Sequence, residues 1–173
     1  MSWLYLLLDA GTLFFPVVLS FDKNVHYLDH WKRVLLSTLL IAIPFIAWDI
    51  YFTAKGVWGF NPNYLTGMEV YNLPIEEVLF FIVVPFACTF IYQCCKFYLK
   101  RFNFNFFNIV LSLIVFGYAL FVFIQNPSGY YSSWAFISTS MVLFIWIRNF
   151  NLNFIGISFI FSVLPFLIVN GAL

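Results

Sequence analysis

The chain is expected to fold as an all-α, polytopic transmembrane bundle of about six helices. Of its 173 residues, 64% are hydrophobic and 9% are charged, whereas soluble domains average roughly 25% charged residues. So few charges cannot cover a water-soluble globule of this size. The apolar residues gather in six unbroken stretches and do not alternate with polar ones, so a β-barrel is not signalled. Chain immersed in lipid must satisfy its own backbone hydrogen bonds, which a single segment does by becoming helical.

The stretches run Trp3–Phe21, Val34–Phe52, Val78–Cys95, Phe106–Gln125, Trp134–Ile147 and Phe154–Leu173. Most have the roughly 20 residues that cross a hydrocarbon core. The first contains Asp9 and runs past Pro16, too long for a signal-peptide core. The fifth is short and needs Tyr130 and Tyr131 as interfacial anchors. Between the second and third lies the longest connection, Thr53–Ile75, rich in turn formers and aromatics. Asn61-Pro62 marks a turn there, and Trp58, Phe60 and Tyr64 suit a membrane interface. This loop reads either as an aromatic belt on a structured hairpin or as the wall of a site.

Basic residues orient the bundle. Lys23, Lys32 and Arg33 lie in the first loop, Lys96, Lys100 and Arg101 in the third and Arg148 in the fifth, while the second loop holds only Lys55. Positive charge stays on the cytoplasmic side, so the N-terminus is expected outside a cell (inner) membrane. Cys94 and Cys95 then sit at a cytoplasmic helix end, where thiols persist, and with Cys88 they form no CxxC or disulfide pattern. A net charge of +1 gives no field for nucleic acid. Ile43-Pro44-Phe45-Ile46 in the second stretch resembles Leu164-Pro165-Phe166-Leu167 in the sixth. Stretches one and two therefore look like five and six in parallel orientation, with the fourth restoring direction.

The acidic residues carry the chemistry. Asp22 and Asp29 belong to the basic loop and read as solvated. Asp9 and Asp49 fall inside predicted spans, and Glu76-Glu77 opens the third. Ionisable groups in a membrane are expensive and are functional candidates by default. Asp49, beside Trp48, ends the second span at the level where Glu76-Glu77 begins the third. Leu73-Pro74-Ile75-Glu76-Glu77 also has a purely structural reading. Proline suits a helix's first turn, and carboxylates there complement the helix dipole. Burial and a neighbouring carboxylate act the other way and keep one acid protonated, which would give an acid–base pair. Asp9 could cap a helix or pair within the bundle. His26 and His30 are four apart but lie in a charged loop without a third ligand, and read as surface histidines. No GxGxxG, P-loop or HExxH pattern occurs, so no nucleotide or dinucleotide site is signalled.

Phe21-Asp22, Pro44-Phe45, Trp48-Asp49, Gly56-Val57-Trp58-Gly59-Phe60-Asn61 and Leu73-Pro74-Ile75-Glu76-Glu77-Val78-Leu79-Phe80-Phe81 together resemble the membrane-integral, flavin-free lycopene cyclase domain. That domain occurs as paired small subunits or one fused chain in bacteria, and joined to phytoene synthase in fungi. The resemblance is strong over residues 1–98 and weaker, in register, to the end. It implies a first three-helix repeat at 1–98, a linking helix at 99–129 and an incomplete second repeat at 130–173. Fused members carry a second Pro-x-Glu-Glu or Pro-x-Glu-Asp helix, whereas this chain stops after Val169-Asn170-Gly171. The expectation is a C-terminally shortened member whose second half-site comes from a homo- or hetero-oligomer.

The resemblance implies an isomerase of the intramolecular lyase type, acting in carotenoid biosynthesis. It would cyclise the end of lycopene, or a related linear carotenoid, to a β-ring, with Glu76, Glu77 and Asp49 as catalytic groups. Trp48, Trp58, Phe60 and Phe80 are the expected substrate-binding side chains. Protonation, cyclisation and proton loss involve no net redox change, so neither metal nor cofactor is expected. An alternative is a non-catalytic membrane subunit or scaffold that binds carotenoid or a partner cyclase. A small transporter finds no support, because no broken helix pair or repeated polar path is seen.

Overall fold

The computed structural model describes residues 3–127, 129–148 and 153–171. Six helices follow the six apolar stretches: α1 (Leu4–Leu19), α2 (Trp31–Ala54), α3 (Ile75–Tyr98), α4 (Asn105–Gln125), α5 (Tyr130–Arg148) and α6 (Ile155–Gly171). Among the described residues, the segments Tyr27–Ala54, Ile75–Tyr98 and Asn105–Gln125 are long and apolar enough to cross a membrane. The other three helices are apolar but shorter over their described residues. The 16 residues of α1 reach about 24 Å at 1.5 Å per residue, under the roughly 30 Å hydrocarbon core. Leu40, Ile43, Phe106 and Ile124 are more than 60% exposed. An apolar exterior of this kind belongs in lipid. The side chains of Tyr130 and Tyr131, and Leu173 at the end of the sixth stretch, lie outside the described residues.

Helix α3 is the centre. It packs against α1, α2 and α6, and α6 in turn meets α4, which pairs with α5. Pro16, Pro44, Pro85 and Pro165 lie inside four of the helices, a position that bundle packing and hydroxyl side chains make tolerable in membranes. Ser20 illustrates this: its hydroxyl donates to the Pro16 carbonyl and accepts from the Trp31 indole at 2.9 Å.

At the end of the bundle opposite Glu76, the first loop folds inward. Val25, Tyr27, Phe86 and Phe90 form a buried cluster, flanked by Leu13, Val17, Trp31 and Val34. The Tyr27 hydroxyl donates to the Phe86 carbonyl at 2.7 Å and lies 2.7 Å from Thr89 Oγ1. His26 adopts a left-handed conformation (φ 53) to bring Tyr27 in. His26 lies 3.7 Å from Asp29, and His30 contacts Gln93 and Arg33. No metal-ligating cluster exists among the described residues.

The second loop begins where α2 is stopped by glycine. Gly56 takes φ +67, its N–H reaches the Thr53 carbonyl at 3.0 Å and the Val57 N–H reaches that of Phe52 at 3.1 Å. This is the paired-bond helix stop that favours glycine, since a left-handed residue carries a Cβ penalty. The loop continues through a 3₁₀ turn at Pro62–Tyr64, where the Asn61 side chain accepts from the Asn63 amide. It closes in a two-residue hairpin of β1 (Glu69–Val70) and β2 (Leu73–Pro74), with Glu69 opposite Pro74. Pro74, expected in the first turn of α3, stands one step earlier, in β2 and at the helix cap. There its missing N–H costs no ladder bond inside the helix.

Candidate functional site: carboxyl groups beside an apolar cleft

Asp49 reaches the site from the last part of α2, and Glu76 and Glu77 from the first turn of α3. Loop closure brings these ends to one level. The hairpin holds them there: the Asn72 side chain donates to the Ile50 carbonyl at 3.1 Å, and the Ile75 N–H to that of Met68 at 2.9 Å.

Asp49 is 4% exposed, and its Oδ1 accepts the Trp58 indole N–H at 2.6 Å. Trp58 lies stacked over Phe52 at 5.1 Å. Trp48 stacks on Phe52 at 5.2 Å and meets Trp134 of α5 edge-on at 4.4 Å. The Gly-rich loop therefore serves to return an indole to the carboxyl nine residues before it. Glu76 is 1% exposed. Its Oε1 accepts the Thr66 amide at 2.7 Å, while Oε2 is buried with no hydrogen-bond partner. Glu77 is half-buried, within electrostatic range of Asp49 and Asp9, and Tyr5 of α1 lies close to it.

Asp9 comes from α1, one of the helices packed against α3. The sequence marks it only as an acid inside a span. In the fold it joins the carboxyl group cluster, with Glu76 as an electrostatic neighbour. Neither expected role is filled: the start of α1 has no side-chain cap, and Asp9 takes part in no ion pair among the described residues.

Below the carboxyl groups, α1, α3 and α6 enclose a narrow cleft of ≈ 70 Å³. Leu8, Asp9, Phe80, Cys88, Pro165 and Phe166 are among its lining side chains. Phe80 stands one helical turn beyond Glu76 on the same face of α3, and its ring lies 6.3 Å from Phe166. On the neighbouring face Phe81 stacks with Phe45 of α2 at 6.0 Å. The two Pro-Phe pairs, Pro44-Phe45 and Pro165-Phe166, thus address adjacent phenylalanines of α3. Of the four aromatic candidates, Phe80 lines the cleft, and Trp48 and Trp58 cluster around Asp49. Phe60 is half-buried in the loop and makes no ring contact among the described residues. A larger apolar cavity of ≈ 330 Å³ lies between α4, α5 and α6. The hydroxyls of Ser112, Ser138 and Thr139 that face it donate to carbonyls of their own helices, so it presents little but hydrocarbon.

Proteins named bifunctional lycopene cyclase/phytoene synthase resemble the chain. That of Gibberella fujikuroi is 30% identical over 96 residues, covering 54% of this chain and 16% of the relative. That of Phycomyces blakesleeanus is 36% identical over 77 residues, covering 42% and 12%. That of Aspergillus oryzae is 29% identical over 62 residues, covering 36% and 11%. The chain thus spans only about a tenth to a sixth of the length of these relatives. No solved structure matches it. The lycopene cyclase family profile matches residues 2–95, which takes in α1, α2, the whole second loop and most of α3, and the chain belongs to that family.

Proposed function

We propose that this protein cyclises an end of a linear carotenoid such as lycopene, without redox cofactor, at the carboxyl group cluster between α1, α2 and α3. The observation that carries this reading is the gathering of Asp49, Glu76 and Glu77 at one end of the bundle, above a cleft lined mostly by apolar side chains. A carotenoid is a hydrocarbon and reaches such a site through the bilayer.

The chemistry asks little else. One carboxyl passes a proton to the terminal double bond, leaving a tertiary carbocation. The π electrons of the next double bond in the same end attack it, closing a six-membered ring and moving the charge. A second carboxyl, ionised, removes a proton beside the new cation, and a ring double bond forms. Protons in and out balance, so the product is an isomer; loss from the ring carbon that joins the polyene gives the β-ring. Glu76 and Glu77 supply the acid and base, with Asp49 sharing or orienting the proton under the Trp58 indole. Such acid–base help typically contributes 10²–10⁴-fold. Faces of Phe80, Trp48 and Trp58 would stabilise the cation by up to roughly 2 kcal/mol each when dry, and the second loop keeps out the water that would quench it.

The basic-residue bias supports an N-terminus outside a cell membrane and the site at its outer level. The matched approach of Phe45 and Phe166 to Phe81 and Phe80 supports a parallel repeat, with α6 approaching α3 as α2 does.

The test is pigment analysis in a lycopene-accumulating bacterium expressing the full chain. Glu77→Gln and Glu76→Gln should each lower ring formation by roughly 10²–10⁴-fold, at unchanged membrane levels. Normal cyclisation by both variants would leave these residues with only their helix-start role and remove the proposal.

A further inference from the structure

Of the carboxyl groups gathered at this end of the bundle, Asp9 alone lines the apolar cleft. It is 9% exposed, and its Oδ2 is buried with no hydrogen-bond partner among the described residues. An acid in such a place is expensive, because no cation or amide among the described residues offsets its burial. Two of the other carboxyl groups have structural work: Asp49 holds the Trp58 indole and Glu76 holds the Thr66 amide. Asp9 has none that the fold reveals.

The cleft offers a prenyl end a mostly apolar wall. Its α3 wall runs from Phe80 to Ile91, about 16 Å at 1.5 Å per residue. The Ser162 hydroxyl on its α6 side donates to the Ser158 carbonyl, so it competes little for a proton. Aromatic faces come from α3 and α6, through Phe80 and Phe166. A chain end inserted along α3 would bring its last double bond under Asp9.

We infer that Asp9 is the proton donor that touches the hydrocarbon, and that the cleft between α1, α3 and α6 is the subsite for the reacting end of the carotenoid. This rests on the cyclisation proposed above and changes one part of it: Asp9 takes the place given there to Glu76 as the group that hands the proton to the double bond, and Glu76, its electrostatic neighbour, becomes a relay behind it. Asp9 gives its carboxyl proton to the terminal carbon–carbon double bond and becomes a carboxylate. After ring closure the cation loses a proton to the Glu77 carboxylate. Glu77, an electrostatic neighbour of Asp9, then returns that proton to Asp9. No proton is consumed, and both carboxyl groups end as they began.

Two measurements test this on the full chain. The first needs no turnover. Dicyclohexylcarbodiimide, a lipid-soluble reagent for protonated carboxyl groups, is applied to membrane vesicles carrying the wild-type protein, and the peptide with Asp9 is examined by mass spectrometry. An adduct on Asp9, suppressed when the vesicles contain lycopene, is expected. Absence of an adduct, or labelling indifferent to lycopene, overturns the inference. The second is pigment analysis. Asp9→Asn should reduce ring formation roughly a hundredfold or more, while Asp9→Glu, which keeps the acid, retains measurable activity. Wild-type rates in Asp9→Asn alongside a dead Glu77→Gln would remove Asp9 as donor and leave the cyclase reading intact. A wild-type chain that forms no ring counts against the cyclase reading itself, and lycopene protection of Asp9 then decides the subsite alone.

Discussion

Trp58 and Asp49 show how two side chains nine residues apart become one unit. Their hydrogen bond is part-buried and Asp49 itself is buried, so deleting the donor strands a carboxyl oxygen. Trp58→Phe, which keeps the stack on Phe52, should cost about 1–3 kcal/mol. Thermal unfolding in detergent should show this as a lowered midpoint, with cyclisation falling further than Trp48→Phe makes it fall. Glu76 presents a different case. One of its oxygens takes the Thr66 amide, a contact that glutamine can reproduce through its carbonyl oxygen. A loss of activity in Glu76→Gln would therefore report on the proton and not on the loop. The residue types of this site were legible in the sequence, because acids inside apolar stretches stand out. Their division was not, because it depends on which oxygen meets which amide. Asp9 was visible as a span acid, but only the packing of α1 on α3 puts it among the others.

Among the elements, the helices were the easiest to foresee. Each apolar stretch became one helix, with ends shifted by a few residues where polar positions could still extend the hydrogen-bond ladder, as at Trp31–Arg33, the first residues of α2. The first loop was less legible. Val25 and Tyr27, set among charged residues, carry no signal of their own in the sequence, yet Tyr27 is 1% exposed and its hydroxyl docks on the backbone of α3. An aromatic ring in a charged loop gives no periodic signal, and its burial depends on a partner helix some 60 residues away. Tyr27→Ala should empty the Val25–Phe86–Phe90 cluster at a cost of about 3–5 kcal/mol, read as earlier unfolding in detergent. Tyr27→Phe should cost about 1 kcal/mol through the lost donor alone.

For the whole molecule, the charge bias across loops supports an orientation that can be tested. Reporter fusions after Lys32 and after Lys100 should read cytoplasmic, and one after Asn61 external; a cytoplasmic signal at Asn61 would turn the carboxyl groups to the other face of the membrane. The bundle's plan was legible as a number of spans and as alternating connections. The choice of α3 as hub was not, since apolarity marks a span without saying which neighbours it meets. Phe45 and Phe166, a weak likeness in the sequence, gain meaning only when both rings are seen to approach α3.

The central position of α3 also bears on how this chain can change over generations. A quarter or so of its most apolar window is buried, 28%, against 11% for α4. A position facing lipid asks only that its occupant be oily, so α4 can exchange leucine, isoleucine and phenylalanine freely and lose any trace of its ancestry. A position on α3 answers to neighbours on three sides, and each exchange there must be matched by one on α1, α2 or α6. Divergence should therefore erase the periphery first and leave α3, with the loop that leads into it, as the last part of the protein still readable.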